Sequence, residues 1–321
     1  MQISTNANKI ILTDAEYFDI GHILECGQVF RFKKLRDKEY IVYSLDKSAH
    51  IYTQEGVTGT GLLTKQCRPV REGITTPRPH DKASRVKDDR VVVIDCGKKE
   101  DVPYFYNYFD LETDYGDIQR RLLEIAGDNA EERAYLKKAL EFGKGIRILR
   151  QDKVETIISF IISANNNIKR IQGIIERLCA AAGRQITNYY AFPELQALAK
   201  LDKKFYNEIG AGYRDGYLAE TAQILAGGFD ISAVEKADTG TAEKLISRLK
   251  GVGPKVANCI LLFGFAKFDT FPVDTWIAKV FNSFYGSGVD RREMRRRLVE
   301  RYGSLAGYAQ QYLFYMAREK N

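Results

Sequence analysis

Hydrophobic and polar positions follow two different rhythms along the chain. In the first hundred residues the apolar positions come in short aromatic and β-branched runs. "VFRFKKL" (29–35) and "EYIVYSL" (39–45) are two such runs, separated by the polar "RDK", and this pattern predicts a β-hairpin. "RVVVIDCG" (90–97) predicts a further strand. Between them, residues 53–90 are rich in Gly, Thr, Pro and Lys/Arg and show neither period. They read as a long mobile basic insertion; a basic arm that touches nucleic acid is the alternative.

From Asp110 onward the spacing becomes helical. "YGDIQRRLLEIAG", "ERAYLKKALEFG", "VETIISFIISANN", "IKRIQGIIERLCAAAG", "GYLAETAQILAGG", "AEKLISRLKG", "KVANCILLFGF", "TWIAKVFNSFYG" and "RREMRRRLVERYG" each carry an apolar stripe. Most stop at glycine, which ends helices readily. The predicted class is α+β. An N-terminal antiparallel β-sheet domain (1–109, with the insertion near 53–90) precedes an all-helical body (110–321). No internal repeat of fixed period is present.

Composition narrows the setting. The chain has 321 residues, 45% of them hydrophobic, enough for two compact units. A net charge of +7 suits a polyanionic partner. No apolar run is long enough to span a membrane, and the N-terminal stretch lacks the pattern of a secretory signal. Five scattered cysteines without a C-x-x-C pair predict free thiols in a reducing cytoplasm. They leave no zinc or iron–sulfur spacing, so no metal is expected.

The candidate chemistry lies in "RLKGVGPKVANCILLFGF" (248–265). Gly251 and Gly253 make a tight turn between two helical segments, and Pro254 suits the first helical position. The bare N–H groups of such a turn form a natural seat for a phosphate. Lys255 then falls in the first helical turn. The helix dipole and partial burial both predict a depressed pKa and thus a nucleophilic amine. A lysine that reaches solvent or pairs with a phosphate is the plainer reading. In "FDTFPVDTWIAKVF", Asp274 stands at an expected N-cap. A carboxylate there can cap the helix. It can also stabilise positive charge on a sugar beside an amine nucleophile.

"LKGVGPKVANCI" with "FPVDTW" resembles the helix–hairpin–helix and aspartate motif of DNA base-excision glycosylases, with the hairpin at 241–266. The lysine marks the bifunctional members, which release a base and then nick the strand. Four further stretches resemble 8-oxoguanine DNA glycosylases: "CGQVFRF" (26–32), the segment 145–179, "GAGYRDGY" (210–217) and "GYAQQYLF" (307–314). The resemblance spans nearly the whole chain except the insertion. It implies Lys255 as nucleophile and Asp274 as its carboxylate partner. It implies a lesion pocket of Gly27, whose carbonyl accepts from N7–H, with Cys259 and Phe314 on the two faces of the base. Gln310 would bond the Watson–Crick edge. Asn165, Arg170, Tyr213 and Arg214 would read the cytosine left behind when its partner flips out. The implied partner is duplex DNA containing 8-oxoguanine opposite cytosine, with no cofactor. A cytoplasmic monomer is expected.

Some features depart from the pattern or stay open. Trp276 stands where some relatives carry a phosphate-contacting histidine. No cysteine follows Cys259, which argues against the endonuclease III and MutY-type branches with their four-cysteine cluster. The lysine argues against the alkyladenine branch. Six arginines on the segment 291–303 read as a solvated face, or as a DNA-backbone stripe. A glycosylase for another oxidised purine and a non-catalytic helix–hairpin–helix DNA-binding module are the alternatives.

Overall fold

A computed structural model describes residues 1–55, 90–127 and 129–320. Six strands are β1 (Gln2–Asn6), β2 (Lys9–Thr13), β3 (Phe32–Arg36), β4 (Glu39–Ser44), β5 (Lys47–Glu55) and β6 (Arg90–Asp95). They form one antiparallel sheet in the order β1-β2-β6-β5-β4-β3. The predicted hairpin is β3–β4, turned at Lys38 with φ 55°. Strands β1, β2 and β5 were not predicted from the sequence. Strand β5 stays paired with β6 from His50↔Asp95 to Glu55↔Arg90, so the ladder extends past residue 53, where the insertion was expected to begin. Residues 56–89, on which the expectation of mobility rests, lie outside the described residues.

Alternation builds the sheet core. Ile10 and Leu12 of β2, and Tyr40 and Val42 of β4, point to one face together with Ile51 and Ile94. Two helices that the sequence pattern did not show cover this face: Ile20–Glu25, and Val102–Tyr108 with Phe105 and Tyr108. Each large apolar side chain so buried contributes roughly 1.5–3 kcal/mol.

The remainder is helical, as expected. The nine segments with an apolar stripe all form helices. Lys153–Ser163 and Pro254–Phe265 run through the centre. They meet with Phe160 stacked on Phe263 at 5.4 Å, and Gly264 seats close against Thr156. Acidic or amide caps start many of the helices. Asp152, Asn167, Asp274 and Asp290 each accept a backbone N–H at 2.8–3.0 Å.

The two parts share contacts. Cys26 and Phe30 belong to the helical core, whereas Leu111 and Leu149 belong to the sheet core. Buried Arg31 of the sheet side bonds Glu155 Oε1 at 3.3 Å, and Glu155 Oε2 accepts Leu45 N–H at 2.9 Å. Burial pushes the Glu155 carboxyl up from the ordinary value, and the Arg31 charge partly offsets this. Arg147, almost wholly enclosed, donates to the carbonyls of Tyr17, Phe109, Asp110 and Thr113.

Candidate active site and DNA face

The hairpin consists of Thr239–Ile246, a turn, and Pro254–Phe265. Gly251 takes φ +77°, which only glycine adopts without strain, and a Cβ there would lie 2.9 Å from the Tyr217 ring. Gly253 differs from expectation. Its φ is −81° and its backbone is extended, so its use is open space rather than a left-handed turn. Pro254 starts the helix as predicted. No side chain caps that helix, so the N–H groups of its first turn remain for an outside acceptor.

Lys255 lies in that first turn, and its electrostatics overturn the sequence expectation. Its pKa is raised, not depressed. Negative charge on Cys259 raises it most, burial opposes, and Asp274 adds to the rise. The helix dipole is outweighed because both neighbours are potential anions, one of them a single turn away on the same helix. Burial in turn pushes the Cys259 thiol up, with the Lys255 ammonium pulling the other way. By surface area Lys255 is open to solvent, and it lines a cleft of ≈ 1070 Å³ with Pro254, Asn258, Val273 and Arg295. The side chain is thus part of a crowded cleft wall and not of a closed core.

Asp274 performs the cap, its Oδ1 accepting Ile277 N–H at 2.9 Å. The same carboxylate acts on Lys255 through its charge. One side chain thus caps a helix and adds its charge beside Lys255. Trp276, in the first turn of the capped helix, has the Lys279 ammonium 4.6 Å from its ring centroid.

The second group surrounds Gly27, whose φ is +85°. A Cβ on Gly27 would lie 2.8 Å from Arg318 Nη1 and 3.4 Å from the Phe314 ring. Phe314 sits on the helix Ala306–Glu319, one turn beyond Gln310 and on the same face. Gln310 is buried, and its Oε1 has no hydrogen-bond partner among the described residues. Buried acceptors of this kind are rare unless a ligand completes them. The helix crosses Pro254–Phe265 closely: a Cβ on Gly307 would fall 2.4 Å from Leu262. Around Gly27, side chains secure the neighbouring carbonyls. Arg318 Nη2 donates to Glu25 O at 2.5 Å, Gln311 to Cys26 O at 3.0 Å, and Gln151 to Gln28 O at 2.8 Å. The Gln28 side chain is buried and bonded to Ile23 O, Arg147 O and Leu149 N. Gly27 O alone in this run accepts nothing among the described residues.

The third group gathers Asn165, Arg170, Tyr213 and Arg214. The asparagine triplet divides by task. Asn166 bonds Ile162 O, and Asn167 caps the helix Ile168–Ala182. Asn165, at φ 49°, leaves its exposed side chain unbonded. Tyr213 is 58% exposed, with its hydroxyl on Ala164 O at 3.1 Å. Arg170 is exposed and bonds Gly210 O at 3.2 Å. Arg214 is only 2% exposed, and donates to Ala164 O, Asn165 O and Ala211 O while its guanidinium lies 4.2 Å from the Tyr213 ring centroid. Arg214 thus braces Asn165 and Tyr213, both of which are exposed.

The arginine-rich helix Arg291–Tyr302 is mostly self-neutralised. Arg296 and Arg297 pair with Glu293, Arg296 also with Glu300, Arg295 with Glu243 and Arg301 with Glu132. Arg291 and Arg292 remain without an ion pair among the described residues. Sequence reasoning gave no role to Gln28, Gln311, Tyr217 or Arg318. The first three lie inside the quoted motifs, whereas Arg318 gave no local signal.

Comparisons with known proteins follow this geometry. Residues 10–157 match the family model "8-oxoguanine DNA glycosylase, N-terminal domain". Residues 158–303 match "HhH-GPD superfamily base excision DNA repair protein". A probable N-glycosylase/DNA lyase of Methanothermobacter thermautotrophicus is 34% identical over 246 residues, 68% of this chain and 75% of that protein. The Saccharomyces cerevisiae N-glycosylase/DNA lyase is 29% identical over 269 residues, covering 70% and 69%. The 8-oxoguanine glycosylase/lyase of Clostridium acetobutylicum, solved with double-stranded DNA containing cytosine opposite 8-oxoG, superposes with a TM-score of 0.81 at 33% identity, covering 100% of this chain and 99% of that one. With an antiparallel sheet, a helix–hairpin–helix body and a lysine–aspartate pair at the hairpin, the chain belongs to the 8-oxoguanine DNA glycosylase/lyase family of base-excision repair enzymes.

Proposed function

We propose that the chain excises 8-oxoguanine paired with cytosine from duplex DNA and then nicks the strand. The observation that carries this is the grouping of Lys255, Cys259 and Asp274 at the uncapped start of the hairpin helix. Lys255 Nζ, once deprotonated, attacks C1′ of the flipped nucleotide. The C1′–N9 bond breaks, and the base leaves with the electron pair and takes a proton. Asp274 stabilises positive charge on the sugar during this step. Ring opening gives a Schiff base between Nζ and C1′. Loss of a C2′ proton then expels the 3′ phosphate by β-elimination.

Gly27 O accepts from N7–H of the lesion, Phe314 and Cys259 enclose its faces, and Gln310 Oε1 receives the Watson–Crick edge. Asn165 and Arg170 read the orphaned cytosine and Tyr213 fills the gap, with Arg214 holding them or turning outward on binding. Gly251 and Gly253 leave room for a phosphate at the hairpin. Residues 1–109 supply the Gly27 wall and residues 110–321 the rest. The setting is a cytoplasmic monomer.

Borohydride reduction of the imine tests this. Wild type is expected to give a covalent adduct with a duplex carrying 8-oxoguanine opposite cytosine, and Lys255→Gln none. An undiminished adduct in the variant places the nucleophile elsewhere.

A further inference from the structure

We infer that Arg318 is a positioning residue that sets the lesion pocket, an inference that rests on the proposed base-excision reading. One guanidinium touches both walls of that pocket. Its Nη2 donates to Glu25 O at 2.5 Å, at the end of the helix Ile20–Glu25, and so ties the segment before Gly27 to the C-terminal helix. Its Nη1 lies 2.8 Å from the place a Gly27 Cβ would fill. Its central carbon lies 5.4 Å from the centroid of Phe314 and 5.7 Å from that of Tyr315. Glu319 holds it from outside, at 2.9 Å from Nε and 2.7 Å from Nη2, and its side chain is only 17% exposed.

The arrangement has a mechanical logic. Glu25 O and Cys26 O are bonded to Arg318 and Gln311, two residues of the C-terminal helix. Phe314 lies between them on that helix. The free carbonyl of Gly27 and the face of Phe314 are thus set relative to one another by one helix. Arg318 is the member that lies against both the Gly27 backbone and the Phe314 ring. Without it, the carbonyl that accepts N7–H and the ring that stacks on the base lose their common anchor. Misplacement by about 1 Å costs on the order of 100-fold in rate.

The consequence is confined to the base-dependent step. A preformed abasic site brings no base into the pocket, so its nicking by Lys255 does not need Gly27 and Phe314 in register. The test compares two single-turnover rates at saturating enzyme. One is base release from a duplex with 8-oxoguanine opposite cytosine. The other is nicking of the same duplex with an abasic site. Arg318→Met keeps the length and apolar cover but removes the charge and the donors. It is expected to slow base release about tenfold or more while abasic nicking stays within about twofold. Arg318→Lys, with a cation but a single donor group, should fall between. Equal losses in both reactions, as misfolding or a phosphate contact would give, overturn the inference, and so does unchanged base release. Should the methionine variant not fold, the lysine variant must show the same unequal loss in smaller measure, and equal rates there overturn it too. A wild-type enzyme that releases no 8-oxoguanine would instead remove the proposed function itself.

Discussion

Asp274 caps a helix and, in the proposed reading, also stabilises positive charge on the sugar, and substitution can separate the two. Asparagine caps helices about as well as aspartate, whereas alanine loses about 1 kcal/mol at such a site. Asp274→Asn should therefore leave the melting temperature nearly unchanged and slow base release by about 10²–10³-fold, as loss of a transition-state charge does. Asp274→Ala should show both defects. Equal melting losses in the two variants would mean that the carboxylate's charge, not its capping geometry, holds the fold. Cys259 permits a second test at this scale. Cys259 is the largest influence raising Lys255, so Cys259→Ala should lower the lysine pKa. The reactive species is the free amine, present above that pKa and lost below it. The acid limb of the rate–pH profile should accordingly move to lower pH in the variant. A shift the other way would show that Asp274 or the bound DNA governs the amine. The asparagine triplet shows what sequence could not resolve at this scale. Three adjacent amides look alike in the chain, and only the backbone course decides that Asn166 and Asn167 serve helices while Asn165 faces out.

The helix Asp215–Ala226 joins the Tyr213–Arg214 group to the hairpin turn. Tyr213 and Arg214 immediately precede it, Tyr217 packs on Gly251, and one turn later Thr221 Oγ1 donates to Lys250 O at 3.0 Å. Gly251→Ala meets both a left-handed backbone and the Tyr217 ring. It should destabilise the protein by more than about 1 kcal/mol and weaken duplex binding, measured by denaturation and by titration. Unchanged stability would mean that the turn adapts freely. The arginine-rich helix carries the opposite expectation. Arg296 and Arg297 are engaged with glutamates, so replacing both with alanine should leave the salt dependence of DNA binding nearly unchanged. A loss of slope of about 0.9 per residue would assign them to phosphates instead. Amphipathic elements were legible in the chain because one face stays polar. Helix Ala306–Glu319, buried on almost every side, was not. Strands β1 and β2 escaped because each is only five residues long, and while burial alternates in β2, β1 is exposed except at half-buried Ile3.

At the scale of the whole molecule, sheet and helical body are fastened by a buried charge pair. Removing one partner strands the other. Glu155→Ala should cost about 3–5 kcal/mol in chemical denaturation, and replacing Arg31 with Met at the same time should recover part of it. A small loss in the single variant would mean that water enters the junction. This coupling was invisible in the sequence, where Arg31 and Glu155 are 124 positions apart. The motif bearing Lys255 and Asp274 was legible because its residues lie close together in the chain. The pocket needed the resemblance, since Gly27 and Phe314 meet only through the fold. Gln310 shows what such a preformed receptor entails. An enclosed amide oxygen with nothing to accept makes the resting protein less stable than an oily residue would, by about 1–3 kcal/mol. Exchange for leucine is thus expected to yield a hardier protein that has lost its grip on the damaged base: robustness and recognition compete for one position.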